Sequence, residues 1–268
     1  MPRAGTLGNP TPYDYFGTFA GLPFWPGGLT LLAAEPGVGK TSWLLRMMHQ
    51  AAEKNFPAAI GCYEHTAEEL KFRLTRQAEA AVAGPHEPPE PEEVSAELAR
   101  ANQAVLLPLS DREDTLRAIE ETLIEDYAFP RRGPALLAVD YLQRIPVVGI
   151  TGKVAESERA GEAAAGLRQL FRRRGWAVVA AAALKSAHFG TGSGIDDLGL
   201  GALLGDERVP YEADRVYLMG RTGEGQGCGC VPLSVSTLKN RAGPLTTFSM
   251  NFWGARFFPA LAEEGAHP

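Results

Sequence analysis

The chain reads as an α/β protein, a mostly parallel twisted sheet flanked by helices with an antiparallel extension at its carboxyl end. Three observations carry that reading. Apolar runs bounded by turn residues alternate with segments whose apolar residues recur at helical spacing. One of these run-to-helix junctions, Ala34–Thr41, is a glycine-containing loop that ends in Lys-Thr. Near the carboxyl end, Val231–Phe258 has β-rich runs with a turn at Arg241-Ala242-Gly243-Pro244, the pattern of a hairpin that extends the sheet.

In chain order the expected strands are Leu29–Ala34, Ala58–Tyr63, Ala104–Leu109, Ala135–Val139, Ala177–Ala182 and Arg215–Met219. Each is a short apolar run, as expected of a strand covered on both faces. The expected helices are Thr41–Lys54, with Trp43, Met47 and Ala51 on one face, Asp114–Glu125, with Leu116, Ile119 and Leu123, and Ser157–Arg173, with Leu167, Leu170 and Phe171. These stripes are core faces. Gly84–Pro91, rich in proline, reads as a surface loop between helices. Pro146–Glu156 and Ser186–Gly205 are long, contain glycine and follow strands, so they project from the edge where α/β sheets place ligands. The expected division is a linker-like segment 1–28, a nucleotide-binding domain 29–258 and a tail 259–268.

Composition narrows the field. A chain of 268 residues with 45% hydrophobic content closes one large core. It has no run of about 18 apolar residues and no leader-like start, which places the expected location in the cytoplasm. Cys62, Cys228 and Cys230 are too few for a disulfide framework, and Cys228-Gly229-Cys230 alone lacks the ligands of a structural zinc site. A net charge of -6 argues against a surface that coats nucleic acid, but leaves room for a small basic lining inside a pore.

The chemistry concentrates at Ala34-Glu35-Pro36-Gly37-Val38-Gly39-Lys40-Thr41-Ser42. Strand, tight loop and helix start follow in the order a phosphate loop requires. Gly37 and Gly39 let backbone N–H groups turn toward phosphates, Lys40 bridges the β- and γ-phosphates of ATP, and the Thr41 hydroxyl binds Mg²⁺. Ala34 stands where the general pattern has glycine. Such a site needs a second acid on the metal and a group that polarises the attacking water. Asp140 ends a buried strand and fits the metal role, with a strand-terminating turn residue as the alternative. Glu64 ends another strand and fits a general base, with a helix-starting acid as the alternative.

Together these residues resemble the C-terminal RecA-fold motor domain of DnaB-type replicative helicases, over about residues 26–258. The phosphate loop Glu35–Ser42 has the family's form. Glu64 with Leu70 and Arg73 matches its Glu-Met pattern, and Asp140-Tyr141-Leu142-Gln143 is nearly a signature. Glu212-Ala213-Asp214 before an apolar strand and Lys239-Asn240-Arg241-Ala242-Gly243-Pro244 also match. The resemblance implies a RecA-like P-loop NTPase that assembles as a homohexameric ring with ATP between neighbours. It implies that Lys239 and Arg241 reach the next subunit's site, Arg241 as an arginine finger; without it, both would read as solvated cations. It also implies that loops facing the pore grip single-stranded DNA. The corresponding segments are Pro146–Glu156, with Lys153, and Ser186–Gly205, which carries Asp196 and Asp197 but no Lys or Arg.

Two departures bear on mechanism. Ala183 stands where the family has a Gln that senses the γ-phosphate, and nothing in the sequence gives the direction of nearby Lys185. Met1–Gly28 is too short for the family's N-terminal helical domain; its Tyr13, Tyr15, Phe16, Phe19, Phe24 and Trp25 suit packing on their own domain or on a neighbour. The expected function is an ATP-hydrolysing, ring-forming motor on single-stranded DNA. The alternative is a non-translocating ATPase switch, KaiC-like or recombinase-mediator-like, acting through a protein partner. A small-molecule kinase is disfavoured by Asp140–Gln143 and Lys239–Pro244.

Overall fold

The structure, a computed structural model, describes residues 27–53, 55–84, 90–149, 155–188, 198–223, 229–241 and 243–261. In chain order its main elements are β1 (Leu29–Ala34), α1 (Lys40–Glu53), β2 (Ala58–Cys62), α2 (Ala67–Ala83), α3 (Pro91–Ala101), β3 (Val105–Pro108), α4 (Leu116–Glu125) and β4 (Leu136–Asp140). Then follow α5 (Ala155–Arg174), β5 (Ala177–Ala183), α6 (Arg208–Glu212), β6 (Arg215–Arg221), β7 (Cys230–Asn240), β8 (Thr247–Trp253) and β9 (Phe258–Leu261).

The described strands form one sheet in the order β3-β2-β4-β5-β1-β6-β7-β8-β9. Strands β1 to β6 pair in parallel, and β6 to β9 pair antiparallel. Alternation along β1 splits the core. Leu29, Leu31 and Ala33 face a layer containing Leu167, Leu170 and Phe171 of α5, whereas Leu32 and Ala34 face one containing Trp43, Met47 and Ala51 of α1. Helices thus cover both faces, and the carboxyl ends of the parallel strands share one edge.

The expected strands and helices form, and the carboxyl-terminal hairpin gains a third strand in β9. Gly84–Pro91 needs correction, because Pro91 is the first residue of a helix and not part of the loop. Proline suits that place, since its fixed φ is helical and its missing N–H would have no intrahelical partner. The remainder of the loop, 85–89, lies outside the described residues, as do Lys153, Asp196, Asp197, Cys228 and the aromatic segment 1–26. Cys62 is a buried free thiol. No helix among the described residues is long and apolar enough to cross a membrane.

Helix α3 is fastened to α1 by a buried polar cluster. His49 is fully buried, with Nε2 2.7 Å from Glu97 Oε1. Arg46 Nη1 lies 2.9 Å from His49 Nδ1. An arginine only donates, so Nδ1 accepts and the proton sits on Nε2, facing Glu97. Burial, then the adjacent Arg46 charge, pushes the His49 pKa down from 6.5 to about 4. The folded state therefore prefers the neutral ring, and the contribution of His49 to stability is complete above pH 6.5 and lost as pH falls toward 4. Urea denaturation should show the wild type losing more stability between pH 7 and pH 5 than His49→Gln does. Equal losses would contradict the assignment.

Candidate functional site

A cleft of about 420 Å³ opens at the carboxyl edge of the sheet. Ala34, Pro36, Gly37, Gly39, Lys40, Thr41 and Ser42 line its floor. Gly37 (φ 75°) and Gly39 (φ 113°) occupy backbone conformations that side chains resist. A Cβ on Gly39 would also stand 3.3 Å from the Phe252 ring. Trp43 N–H donates to the Gly39 carbonyl at 3.0 Å, so the helix begins directly out of the loop. Its first turn holds no acidic residue, leaving the positive end of the helix dipole uncompensated. Arg221 Nη2 donates to the Gly37 carbonyl at 3.0 Å and steadies the loop tip. Val38 turns its side chain into the core, and Glu35 accepts through its carbonyl, so these two contribute backbone rather than cleft wall.

Lys40 Nζ donates to the carbonyls of Ala34 and Glu35, at 3.0 Å each. Burial lowers its pKa, and the charges of Asp140 and Glu64 oppose that shift. A phosphate between these groups would give the ammonium the anion its direct partners lack.

Asp140 is fully buried at the end of β4. Its Oδ2 accepts from the Thr41 hydroxyl at 2.5 Å and lies 3.7 Å from the Cys62 thiol. Its Oδ1 has no hydrogen-bond partner among the described residues. An orphaned buried carboxylate oxygen beside a hydroxyl is a donor set that fits a hard divalent cation such as Mg²⁺. Glu64 lies exposed on the cleft wall, and a carboxylate oxygen of it, one of Asp140 and a ring nitrogen of His65 fall within 4.8 Å of one another. Thr41, Asp140, Glu64 and Lys40 thus converge.

Arg73, Phe252, Gly254 and Phe257 form another wall of the cleft. The Arg73 guanidinium lies 4.8 Å over the Phe257 ring. Gln77 Nε2 donates to the carbonyls of Ser42 and Phe257, both at 2.7 Å, and so pins this wall to α1. Aromatic faces and a guanidinium plane suit a flat nucleobase. Arg73 belongs to a pattern visible in the sequence, but Phe252 and Phe257 do not, and their only local signal is the aromatic density of the last strands.

Ala183 presents its methyl group to the cleft. Its N–H donates to Gln143 Oε1 at 3.1 Å, and Gln143 Nε2 donates to the Leu204 carbonyl at 2.8 Å. Leu204 N–H returns a bond to the Ala183 carbonyl at 2.8 Å. The last residue of β5 is therefore stitched to the base of the loop that follows it. Lys185 Nζ donates to the Gly201 carbonyl at 2.7 Å and does not enter the cleft, so it does not stand in for the missing sensor.

Lys239 and Arg241 lie elsewhere. Asn240 pairs with Arg215 at the start of β6, beside the start of β1. The cleft lies roughly 17 Å further along β1. Lys239 Nζ donates to the carbonyls of Pro210 and Tyr211 at 2.6 and 3.1 Å. Arg241 donates to the Tyr211 carbonyl at 2.9 Å and to Asp214 Oδ1 at 3.2 Å.

Glu64 lies two residues beyond the end of β2, whereas Asp140 is the last residue of β4; strand order, phosphate loop and this strand-end acid define a P-loop nucleotide-binding protein with a RecA-like sheet. The family model of the DnaB-like helicase C-terminal domain matches residues 18–257, and the chain belongs to that family. The fold is similar to a solved structure described as an ATPase domain, with TM-score 0.72, 15% identity, and coverage of 89% of this chain and 86% of that one. It is also similar to the structure described as "The Structure Of A DnaB-Like Replicative Helicase And Its Interactions With Primase", with TM-score 0.73 and 16% identity. There the match covers 89% of this chain and 59% of the other, so this chain spans a little over half of that helicase. Among curated proteins none matches it in sequence.

Gln143→Leu keeps the side chain's volume but leaves the Ala183 N–H and the Leu204 carbonyl unpaired. Burying such groups costs about 1–3 kcal/mol each. Urea unfolding should show a loss of about 2 kcal/mol or more. A loss below about 0.5 kcal/mol would mean that the bridge contributes little.

Proposed function

We propose that the chain is an ATP-hydrolysing, ring-forming motor that acts on single-stranded DNA. The observation that carries this reading is the separation of the two halves of a hydrolytic site. Phosphate loop, Asp140 and Glu64 share one edge of the sheet, while Lys239 and Arg241 sit at the other end of β1, beyond reach of their own cleft. Head-to-tail copies would bring the second half of one subunit to the first half of the next, and repetition closes a ring.

In this reading the loop N–H groups and Lys40 hold the β- and γ-phosphates of ATP, and Thr41 and Asp140 hold Mg²⁺. When bound there, the ion would supply positive charge to offset that of the phosphates. Glu64, exposed to the cleft, accepts a proton from the attacking water. Arg73, Phe252 and Phe257 take the base. Arg241 of a neighbour stabilises charge on the γ-phosphoryl group as it leaves. The loops that follow β4 and β5 leave the sheet edge that carries the cleft, which suits contact with a strand in a central pore. A ring pore also reconciles DNA contact with the net charge of -6, because only the lining needs a favourable potential.

Ala183 favours a second reading. A methyl group cannot hydrogen-bond a γ-phosphate, and in a switch of this fold the output of hydrolysis is read by a protein partner rather than by DNA.

Steady-state ATPase assays separate these proposals. Lys40→Ala and Glu64→Gln should abolish Mg²⁺-dependent hydrolysis, and Arg241→Ala should reduce it about 10³-fold. Mixing Lys40→Ala with Arg241→Ala subunits should restore measurable activity, because mixed rings contain interfaces with one intact half from each parent. Wild-type hydrolysis by assembled Arg241→Ala would exclude the trans finger. The motor further requires stimulation by single-stranded DNA and strand displacement, whereas hydrolysis indifferent to DNA supports the switch.

A further inference from the structure

The residue after Glu64 is His65, where the family's pattern has methionine, and the cleft gives this imidazole a specific place. It lines the cleft, and its side chain is 19% exposed. One of its ring nitrogens lies within 4.8 Å of carboxylate oxygens of both Glu64 and Asp140. Ligands of one octahedral ion with bonds of about 2.1 Å stand about 3 Å apart when adjacent and about 4.2 Å apart when opposite. The 4.8 Å bound exceeds the widest separation one ion imposes by about 0.6 Å, so a small approach of His65 to Asp140 would let both reach one ion, and Asp140 contributes a fully buried oxygen without a partner among the described residues.

The orientation of the ring comes from the helix that follows. Thr66 caps α2 by accepting from Glu69 N–H at 3.2 Å, and Glu69 Oε2 accepts from Thr66 N–H at 2.9 Å. This reciprocal capping box fixes the Glu69 carboxylate. His65 Nδ1 faces that carboxylate at 3.5 Å. A carboxylate there favours the proton on Nδ1 and leaves the Nε2 lone pair free, the arrangement by which proteins orient metal-bound imidazoles.

We propose that His65 is a direct ligand, through Nε2, of the divalent ion held by Asp140 and Thr41, and that it makes the site favour Mn²⁺ or Co²⁺ over Mg²⁺. The proposal rests on the reading of Asp140 and Thr41 as an ion site. Mg²⁺ demands oxygen ligands, whereas first-row transition ions accept imidazole nitrogen readily. With His65 taking a coordination position, Glu64 is left to the attacking water.

Pulsed electron paramagnetic resonance of the full chain with Mn²⁺ and ADP tests this without turnover. The expected wild-type spectrum has ³¹P couplings from the phosphates and ¹⁴N couplings from imidazole. His65→Ala should keep the ³¹P couplings and lose the ¹⁴N couplings, with Mn²⁺ affinity reduced about tenfold and Mg²⁺ affinity much less affected. Glu69→Gln preserves the capping box and should weaken Mn²⁺ binding in the same direction. A wild-type spectrum with ³¹P but no ¹⁴N coupling overturns the His65 ligand and leaves the ion site standing, and it needs no variant to fold. Persistence of ¹⁴N coupling in His65→Ala also overturns it. Absence of protein-bound Mn²⁺ with ADP removes both this proposal and the ion-site reading.

Discussion

The contact on which the site depends is the hydrogen bond of 2.5 Å from the Thr41 hydroxyl to the buried Asp140 carboxylate. It joins the first turn of α1 to the end of β4, two strands away from the strand that feeds the phosphate loop. The intervening strand is β5, and its small side chains make the approach possible. Ala177, Val179 and Ala181 face the layer under α1, so the helix can settle close to the sheet. Ala183 continues the same face and therefore meets the cleft. A buried ionised carboxylate costs several kcal/mol unless other groups compensate it. Here one oxygen accepts from the hydroxyl, and the other has no hydrogen-bond partner among the described residues.

The same geometry links the cleft to the loop beyond β5. A polar sensor at position 183 would read the γ-phosphate directly. In its place, the backbone of Ala183 is held by Gln143, whose other end holds Leu204. Gln143, in the turn after β4, thus ties the end of β5 to the chain around residue 204. That chain leads into α6, whose carboxyl-terminal carbonyls hold Lys239 and Arg241. Cleft, loop base and basic pair form one connected set of contacts.

Much of this was legible in the sequence, and the limits have physical causes. Apolar runs such as Leu29–Ala34 and Ala177–Ala182 announce strands because burial on both faces demands continuous apolar sequence. The phosphate loop announces itself because φ values above zero require glycine at fixed places, and phosphate chemistry asks for a Lys and a hydroxyl directly after them. Pro91 misled, because the residue that ends a loop is also the residue that best starts a helix. The wall made by Phe252 and Phe257 was not legible, since it is brought to the loop by antiparallel strands far along the chain. The direction of Lys185 and the bridging role of Gln143 depend on tertiary partners, the Gly201 and Leu204 carbonyls, that no spacing encodes.

In the proposed function, one hydrolytic site is built from two copies of this chain. The most direct measurement is a structure of the protein assembled with ADP, a divalent ion and a γ-phosphate mimic. The expected result is a ring in which Asp140 faces the ion and Arg241 of one copy leaves Asp214 and Tyr211 to reach the mimic bound by the next. A filled cleft in a single copy, with Arg241 still against its own Asp214, would contradict it.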